Sequence, residues 1–163
     1  MTNDVEADRQ GETIYGMRRD EYQELVQKYK DALEYVEGIG PVYGEKLKAI
    51  GLVTPLDLLS KGRFLKGREE IARQTGISGK LILDWVNHID LFRINGVDAN
   101  YAELLVKSGV DSVLELAQRN PSHLYEKITQ VNQERKLART QPTLEQVQGW
   151  VERAKTLPRV IHY

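Results

Sequence analysis

Residues 38–59 read GIGPVYGEKLKAIGLVTPLDLL, and residues 96–117 read GVDANYAELLVKSGVDSVLELA, a constant 58 positions later. The two copies share a first glycine, a tyrosine, a glutamate, a leucine and a closing glycine at identical spacing. The tryptophans that follow, Trp85 and Trp150, are 65 positions apart, which indicates that the second copy has gained a surface loop. A repeat of this period predicts one supersecondary unit used twice.

The first copy begins with a glycine hairpin, Gly38-Ile39-Gly40, which precedes Pro41 and an amphipathic run that ends at Gly51. Glycine permits φ > 0 and the close approach of a ligand. Gly40 and Pro41 are typical of the N-cap and the first position of a helix. The free N–H groups and the positive end of the helix dipole at this position favour an anion.

This pattern resembles the helix-hairpin-helix motif, in which a tight hairpin joins two helices and presents backbone N–H groups to a phosphate. A second, weaker hairpin at Gly76-Ile77-Ser78 makes one copy similar to the five-helix, double-hairpin domain at the amino terminus of archaeal recombinases and in many repair proteins. The tandem arrangement over residues 18–157 resembles an uncharacterised bacterial family of tandem helix-hairpin-helix proteins, a domain of unknown function.

The whole chain is predicted to be all-α, because no segment alternates apolar and polar residues over the length of a strand. The pattern predicts a disordered acidic segment over residues 1–17. A first helix-hairpin-helix unit of the SAM-like type, with its leading helix, is predicted over 18–91. A second, diverged unit is predicted over 92–163.

Periodicity and capping residues predict where the helices lie. An apolar stripe predicts one long helix over residues 18–36. Further helices are predicted to begin after four capping residues, which are Thr54, Ser78, Asp98 and Thr143.

Composition excludes several classes of protein. The 163 residues contain no cysteine, so neither a disulfide framework nor a thiolate metal site is possible. No apolar run approaches the ~18 residues that span a bilayer, and the acidic start lacks the apolar stretch of a signal peptide. We therefore expect a cytoplasmic protein with no membrane partner. None of the histidines has the spacing of a metal site, and His88 is expected to face solvent.

Charge is unevenly distributed along a chain whose net charge is −1. Residues 1–36 contain five basic and nine acidic residues, residues 37–91 eight and seven, and residues 92–163 ten and eight. The repeated region is therefore only mildly basic, whereas dedicated nucleic-acid binders are strongly basic.

The first hairpin, Gly38-Ile39-Gly40, is the leading candidate for a phosphate contact. Lys46 and Lys48 lie one to two turns into the next helix, from which they could reach backbone phosphates. The alternative is that the hairpin is only a sharp turn between helices and that both lysines belong to a solvated helix face.

The densest basic cluster is predicted to be a loop that contains Lys61, Arg63, Lys66 and Arg68. We expect Phe64 and Leu65 to anchor this loop to the core while the charges face outward. Such a loop could follow a phosphate backbone, and a solubilising role or an acidic protein partner explains it equally well.

The downstream hairpin, Gly76-Ile77-Ser78, adds a third candidate contact. Lys80 lies just inside the helix that Ser78 is predicted to cap. Gly76, Ser78 and Lys80 therefore complete the predicted nucleic-acid-binding set.

The second copy lacks the features that favour phosphate in the first. Asp98 stands where the first copy has Gly40, and a carboxylate there repels phosphate. Leu104 and Val106 replace the two lysines, so this helix is predicted to be buried on more than one side. Its expected role is packing against the first copy or against a protein partner.

No residue pattern predicts catalysis or a cofactor. Trp85, Trp150, Tyr43 and Tyr101 recur at equivalent positions, as core residues of a duplicated unit should, and the core is favoured over a base-stacking platform for them. Acidic residues that could serve in acid–base chemistry have no partner nucleophile or base in the pattern, and no metal site is expected. Two functions stay open: a non-catalytic module that binds nucleic-acid backbone, of duplex or single-stranded DNA, mainly through the first copy, and a protein–protein scaffold that keeps the fold without nucleic acid.

Overall fold

The structure is a computed structural model that describes residues 15–30 and 33–163, and within them it is all-α, which confirms the predicted fold class. A 3₁₀ turn, Leu33–Tyr35, precedes the second helix. In the described residues the helices are α1 Arg19–Lys28, α2 Pro41–Ala49, α3 Pro55–Gly62, α4 Leu65–Thr75, α5 Gly79–Leu91, α6 Ala99–Lys107, α7 Val113–Ala117, α8 Pro121–Arg135 and α9 Leu144–Ala154.

Helix starts follow the capping residues that the sequence contains. The hydroxyl of Thr54 accepts from the N–H of Asp57 at 3.1 Å, and the Asp57 carboxylate accepts from the N–H of Thr54 at 3.0 Å. Ser78, Asp98 and Thr143 also cap helices by accepting from a backbone N–H three residues ahead. All four predicted helix starts are confirmed. They could be predicted from the sequence because a capping side chain bonds within the first turn of its own helix.

The predicted long helix over residues 18–36 is wrong. Helix α1 ends at Lys28, and beyond residues 31–32, which are outside the described residues, the chain continues as a 3₁₀ turn. The apolar stripe nevertheless identifies buried side chains, since Leu33 and Val36 have no exposed surface. Periodicity thus predicted which residues face the core, while the backbone between them is not one continuous helix.

The packed part of the chain begins earlier than the predicted boundary between residues 17 and 18. Tyr15 is 5% exposed and Met17 4% exposed, and the ring of Tyr15 stacks on Tyr22 with centroids 6.0 Å apart. The predicted disorder of the remaining segment concerns residues 1–14, which lie outside the described residues.

The region of Lys61, Arg63, Lys66 and Arg68, which the sequence predicts to be a loop, is mostly helical. Helix α3 extends to Gly62 and α4 begins at Leu65, so only Arg63 and Phe64 connect them. Phe64 is 45% exposed and Leu65 51% exposed, so the prediction that they anchor this region to the core is wrong. The core contact comes instead from the charged residue Arg68, which is 4% exposed.

The glycine turn and the helix that follows it have the same backbone geometry in the segments 38–49 and 96–107. Gly38 and Gly96 have φ of 91° and 90°, and α2 and α6 have bounds that differ by the 58-residue period. The ring of Tyr43 lies 5.4 Å from that of Trp85, and the ring of Tyr101 lies 5.4 Å from that of Trp150. Both tryptophans are buried, in agreement with the predicted core role.

A buried ion pair joins distant segments of the chain. The Nε of Arg93 donates to Asp90 at 2.9 Å, and its two terminal nitrogens donate to the carbonyls of Tyr15 and Pro158 at 2.8 and 3.1 Å. The second oxygen of Asp90 accepts from the N–H of Val113 at 2.9 Å. Every group of this pair has a partner, as a buried charge requires.

A second buried pair joins α5 to α6. His88 is 6% exposed, so the prediction that it faces solvent is wrong. Its Nδ1 lies 2.7 Å from the carbonyl of Asp84, and its Nε2 lies 2.9 Å from the carboxylate of Glu103. Both neighbours are hydrogen-bond acceptors, so this geometry favours the doubly protonated form of the ring.

Replacing Arg93 by methionine should strongly destabilise the protein. Arg93→Met keeps most of the side-chain volume but leaves Asp90 buried without its cation, which typically costs about 3–5 kcal/mol. Urea unfolding followed by circular dichroism measures this change. Lys155→Ala, which removes an exposed pair with Glu152 at 3.0 Å, is the control and should cost less than about 1 kcal/mol. Equal effects of the two substitutions would contradict the role assigned to Arg93.

Stability should fall as pH rises through the folded-state pKa of His88. Burial alone would lower that pKa, but the hydrogen bonds to Glu103 and to the Asp84 carbonyl outweigh burial and raise it above 6.5. The His88 contribution is therefore complete below pH 6.5 and is lost above the raised value. The hydrogen bond from His88 lowers the pKa of Glu103, so its contribution is present above pH 4.5 and is lost in acid.

Urea unfolding of the parent and of His88→Gln over a range of pH tests this assignment. The stability difference between them should be largest near neutral and mildly acidic pH and should shrink in alkali. A difference that does not change with pH would show that His88 does not titrate in the folded protein.

Candidate nucleic-acid interface

The first hairpin is a tight turn anchored by Ile39. The N–H of Ile39 donates to the carbonyl of Val36 at 3.0 Å, and the Ile39 side chain is 2% exposed. Gly38 has φ of 91°, a conformation that disfavours any residue with a side chain. A Cβ on Gly38 would also lie 3.1 Å from the Nε1 atom of Trp85. The turn therefore requires glycine at this position for two independent reasons.

Gly40 leaves the amino end of α2 uncovered. It is the N-cap, with extended backbone (φ −82°, ψ −176°), no side-chain cap, and Pro41 in the first turn. Apart from Gly40 and its two chain neighbours, no described atom lies within 4 Å of the position that a Gly40 Cβ would occupy. Since the first N–H groups of a helix have no partner within the helix, this end can accept an anion.

The counterpart hairpin, Gly96-Val97-Asp98, has the same backbone but a filled helix end. Asp98 has φ of −90° and ψ of −173°, close to the values of Gly40, and its carboxylate accepts from the N–H of Tyr101 at 2.9 Å. The predicted burial of this helix on more than one side is confirmed by Leu104 and Leu105, which are 1% and 0% exposed. The chain's own carboxylate occupies the helix end that is open in the first hairpin.

The two lysines of α2 are in different situations. Lys46 is exposed, whereas the ammonium of Lys48 donates to the carboxylate of Glu34 at 2.7 Å. The hydrogen bond from Lys48 lowers the pKa of the Glu34 carboxyl. Part of the charge of Lys48 is therefore balanced within the protein, and Lys46 is the better placed of the two for an external anion.

Arg68 is a structural residue, so its prediction as a nucleic-acid contact is wrong. It is 4% exposed, and its guanidinium donates to the carbonyls of Gly62 at 2.8 Å and His162 at 3.0 Å. The N–H of His162 donates in turn to the carbonyl of Arg63 at 2.7 Å. Arg68 is buried because its several donors satisfy carbonyls at both a helix end and the last described residues.

The remaining cations of this cluster are partly engaged. Lys61 lies 3.3 Å from the carboxylate of Glu70, and Lys66 is exposed. The guanidinium carbon of Arg63 lies 4.3 Å from the centre of the Phe64 ring, a cation–π contact. Arg63 and Lys66 therefore carry most of the charge that this region can offer to a ligand.

The downstream hairpin has a partly filled helix end. Gly76 has φ of 74° and closes α4, and Ile77 is 3% exposed. The hydroxyl of Ser78 accepts from the N–H of Leu81 at 3.2 Å, and Lys80 is exposed on the first turn of α5. The predicted residues thus lie in three places: α2 with the hairpin before it, the α3–α4 connection, and the α4–α5 connection.

Sequence reasoning missed the residues whose partners are far away in the chain. Each of Arg93, His88 and Arg68 has at least one partner that only the tertiary fold brings to it, and their sequence surroundings do not indicate these partners. The capping residues Thr54, Ser78, Asp98 and Thr143 could be identified from the sequence, because N-cap preference is local. Among the described residues, no group of three or more potential ligands is arranged to hold a metal ion.

Comparison with known proteins places the chain in a family without an assigned function. Residues 37–157 match the family described as "Domain of unknown function (DUF4332)", and the protein belongs to that family. No curated protein and no solved structure matches the chain. None of the described helices is long and apolar enough to cross a membrane.

Two glycine-to-alanine substitutions in the first hairpin should have different effects. Gly38→Ala forces an alanine to φ of 91° and against Trp85, which should cost about 1–3 kcal/mol. Gly40→Ala has open space and an ordinary backbone conformation, so it should cost about 1 kcal/mol or less. Thermal unfolding of the two variants measures the contrast, and equal melting temperatures would rule out the strained turn.

Proposed function

We propose that this protein is a non-catalytic module that binds the phosphate backbone of nucleic acid without sequence specificity, mainly through the first hairpin. The observation that carries the proposal is the contrast between Gly40 and Asp98. Two turns of the same backbone geometry differ in that one helix end is open and the other is filled by a carboxylate. An open helix amino end preceded by a glycine turn is a favourable place for a phosphate.

The proposal includes the tandem helix-hairpin-helix arrangement. The matching glycine conformations, helix bounds and aromatic pairs of the two copies support a duplicated unit. Backbone N–H groups recognise phosphate rather than bases, so such a contact positions the protein but does not read sequence. A cytoplasmic location fits this function and is part of the proposal.

The available charges predict a modest affinity. Four cations of the predicted set form no ion pair among the described residues: Lys46, Arg63, Lys66 and Lys80. A small number of cations neutralises few phosphates, and each neutralised phosphate releases counterions. Binding should therefore be weak at physiological salt and strongly dependent on ionic strength.

A protein–protein scaffold is the second candidate, and exposed apolar side chains favour it. Val42, on the first turn of α2, is 69% exposed, and Tyr35, in the 3₁₀ turn before the first hairpin, is 63% exposed. Apolar groups on either side of a hairpin could pack against a protein partner. Under this function the hairpin is a turn only, and DNA affinity is absent.

Gly40→Asp should abolish most DNA binding without unfolding the protein. The substitution reproduces Asp98, and its carboxylate would accept from a first-turn N–H of α2, so stability should be retained. The added charge would repel phosphate from the same N–H groups. Fluorescence anisotropy with labelled duplex and single-stranded DNA should show at least ~10-fold weaker binding, equivalent to about 1.4 kcal/mol.

Gly149→Asp is the charge-matched control, because it adds the same charge at an open position of α9. The parent should show a log–log slope of affinity against salt of about −2 to −4, and the control should keep it. Binding that is independent of salt, or a Gly40→Asp variant that binds as tightly as the parent, would contradict phosphate recognition by the hairpin. Partner binding without any DNA affinity would favour the scaffold.

A further inference from the structure

The connection between α8 and α9 contains an unusual backbone conformation. Lys136 caps the end of α8 with φ of 53° and ψ of 45°, and its N–H donates to the carbonyl of Asn132 at 2.8 Å. Among the described residues, Lys136 alone has positive φ without being glycine. Glycine or asparagine normally occupies this position because a side chain is disfavoured there.

Side-chain hydrogen bonds hold this connection in one conformation. The Asn132 amide donates to the carbonyl of Ala138 at 3.1 Å and to the side chain of Gln141 at 3.2 Å, and its oxygen accepts from the N–H of Ala138 at 2.9 Å. Gln141 also donates to the hydroxyl of Thr129 at 3.0 Å. A connection fixed in this way loses little conformational entropy when a ligand binds.

A shallow groove runs beside this connection, and its lining is basic. Lys136 and Arg139 are exposed, and neither forms any of the ion pairs found in the described part of the chain. The groove has no carboxylate in its lining, which consists of Thr129, Asn132, Gln133, Lys136, Ala138, Arg139 and Gln141. Amide, hydroxyl and cationic groups together suit an anion that accepts hydrogen bonds.

The corresponding connection in the first copy, between α4 and α5, contains a predicted nucleic-acid contact. The downstream hairpin connects α4 to α5 through three residues, 76–78, with Gly76 at positive φ, whereas residues 136–143 connect α8 to α9. Lys136 ends α8 with positive φ, as Gly76 ends α4. Thr143 caps α9, as Ser78 caps α5. The loop gained by the second copy is therefore an enlarged, basic version of this hairpin.

The helix dipole explains only part of this arrangement. A cation in the last turn of a helix is stabilised by the carbonyls there, and this applies to Lys136. The dipole does not explain why the lysine stands at the left-handed position, since a cation elsewhere in the last turn would be stabilised equally. Arg139 lies outside the helix, and the hydrogen bonds of Asn132 and Gln141 organise the loop that presents it.

We propose that the loop 136–142 is a second contact surface for nucleic-acid backbone phosphates, with Lys136 and Arg139 as its cations. This inference rests on the proposed function and extends it to the second copy. The second copy has filled its first hairpin with Asp98 and supplies its phosphate contact through the enlarged loop. The protein then contacts the backbone at two places, one in each copy, and its affinity depends on both.

The double variant Lys136→Asn, Arg139→Gln tests this surface. Asparagine tolerates positive φ, so the loop should keep its conformation. Anisotropy with a long DNA duplex at low salt should show at least ~5-fold weaker binding, and the magnitude of the log–log salt slope should fall by about 2 for two lost phosphate contacts. Circular dichroism and the melting temperature should match those of the parent.

Lys127→Gln, Lys155→Gln is the matched control, because it removes two positive charges elsewhere. Lys127 lies on α8 five residues before Asn132, so the two side chains are about 140° apart around the helix. Lys155 pairs with Glu152. If the loop variant binds like this control while Gly40→Asp weakens binding, the second surface is wrong and the proposed function stands. If the loop variant alone weakens binding, the hairpin site is wrong and this surface stands. A parent that binds no DNA overturns both.

Discussion

The buried pair of Asp90 and Arg93 is the constraint on which the rest of the structure depends. Arg93 is 1% exposed and Asp90 2% exposed, so each polar atom of the pair needs a protein partner. Three of these partners are backbone groups, the carbonyls of Tyr15 and Pro158 and the N–H of Val113. One ion pair therefore fixes the first described residues, the segment after α9 and the start of α7. A shift of any of them would leave a buried charge unsatisfied.

This rigid frame lets the two copies differ in chemistry without differing in backbone. Gly40 and Asp98 have nearly the same conformation, yet one leaves a helix end open and the other fills it. Gly44 faces the end of the exposed Glu34 side chain, which would have to move aside for a Cβ at this position, whereas its counterpart, Ala102, is buried in the core. The conformation of the turn is thus the same at both places, while the groups present at the helix end differ.

Counting cations in the sequence overestimates the charge that is available for binding. Arg68 and Arg93 are buried and satisfy backbone carbonyls, and Lys48 and Lys61 lie against glutamates. A guanidinium can serve either role, since the same donors that bind phosphate also bind carbonyl oxygens. For this protein, the geometry of the open helix end and of the ordered loop after α8 is therefore a better guide than net charge to where an anion could bind.

The sequence by itself determined the helical class and most helix ends, because caps and glycines act within a few residues of their own position. It could not determine the continuity of the helix predicted over residues 18–36, since periodicity reports burial and not hydrogen bonding. Only the tertiary structure decided that Arg68 is buried, because one of its acceptors, His162, is 94 residues away. His88 likewise gains its carboxylate partner from another helix. Whether a charged side chain faces solvent or the core depends on which acceptors the folded chain brings to it, and local sequence does not contain that information.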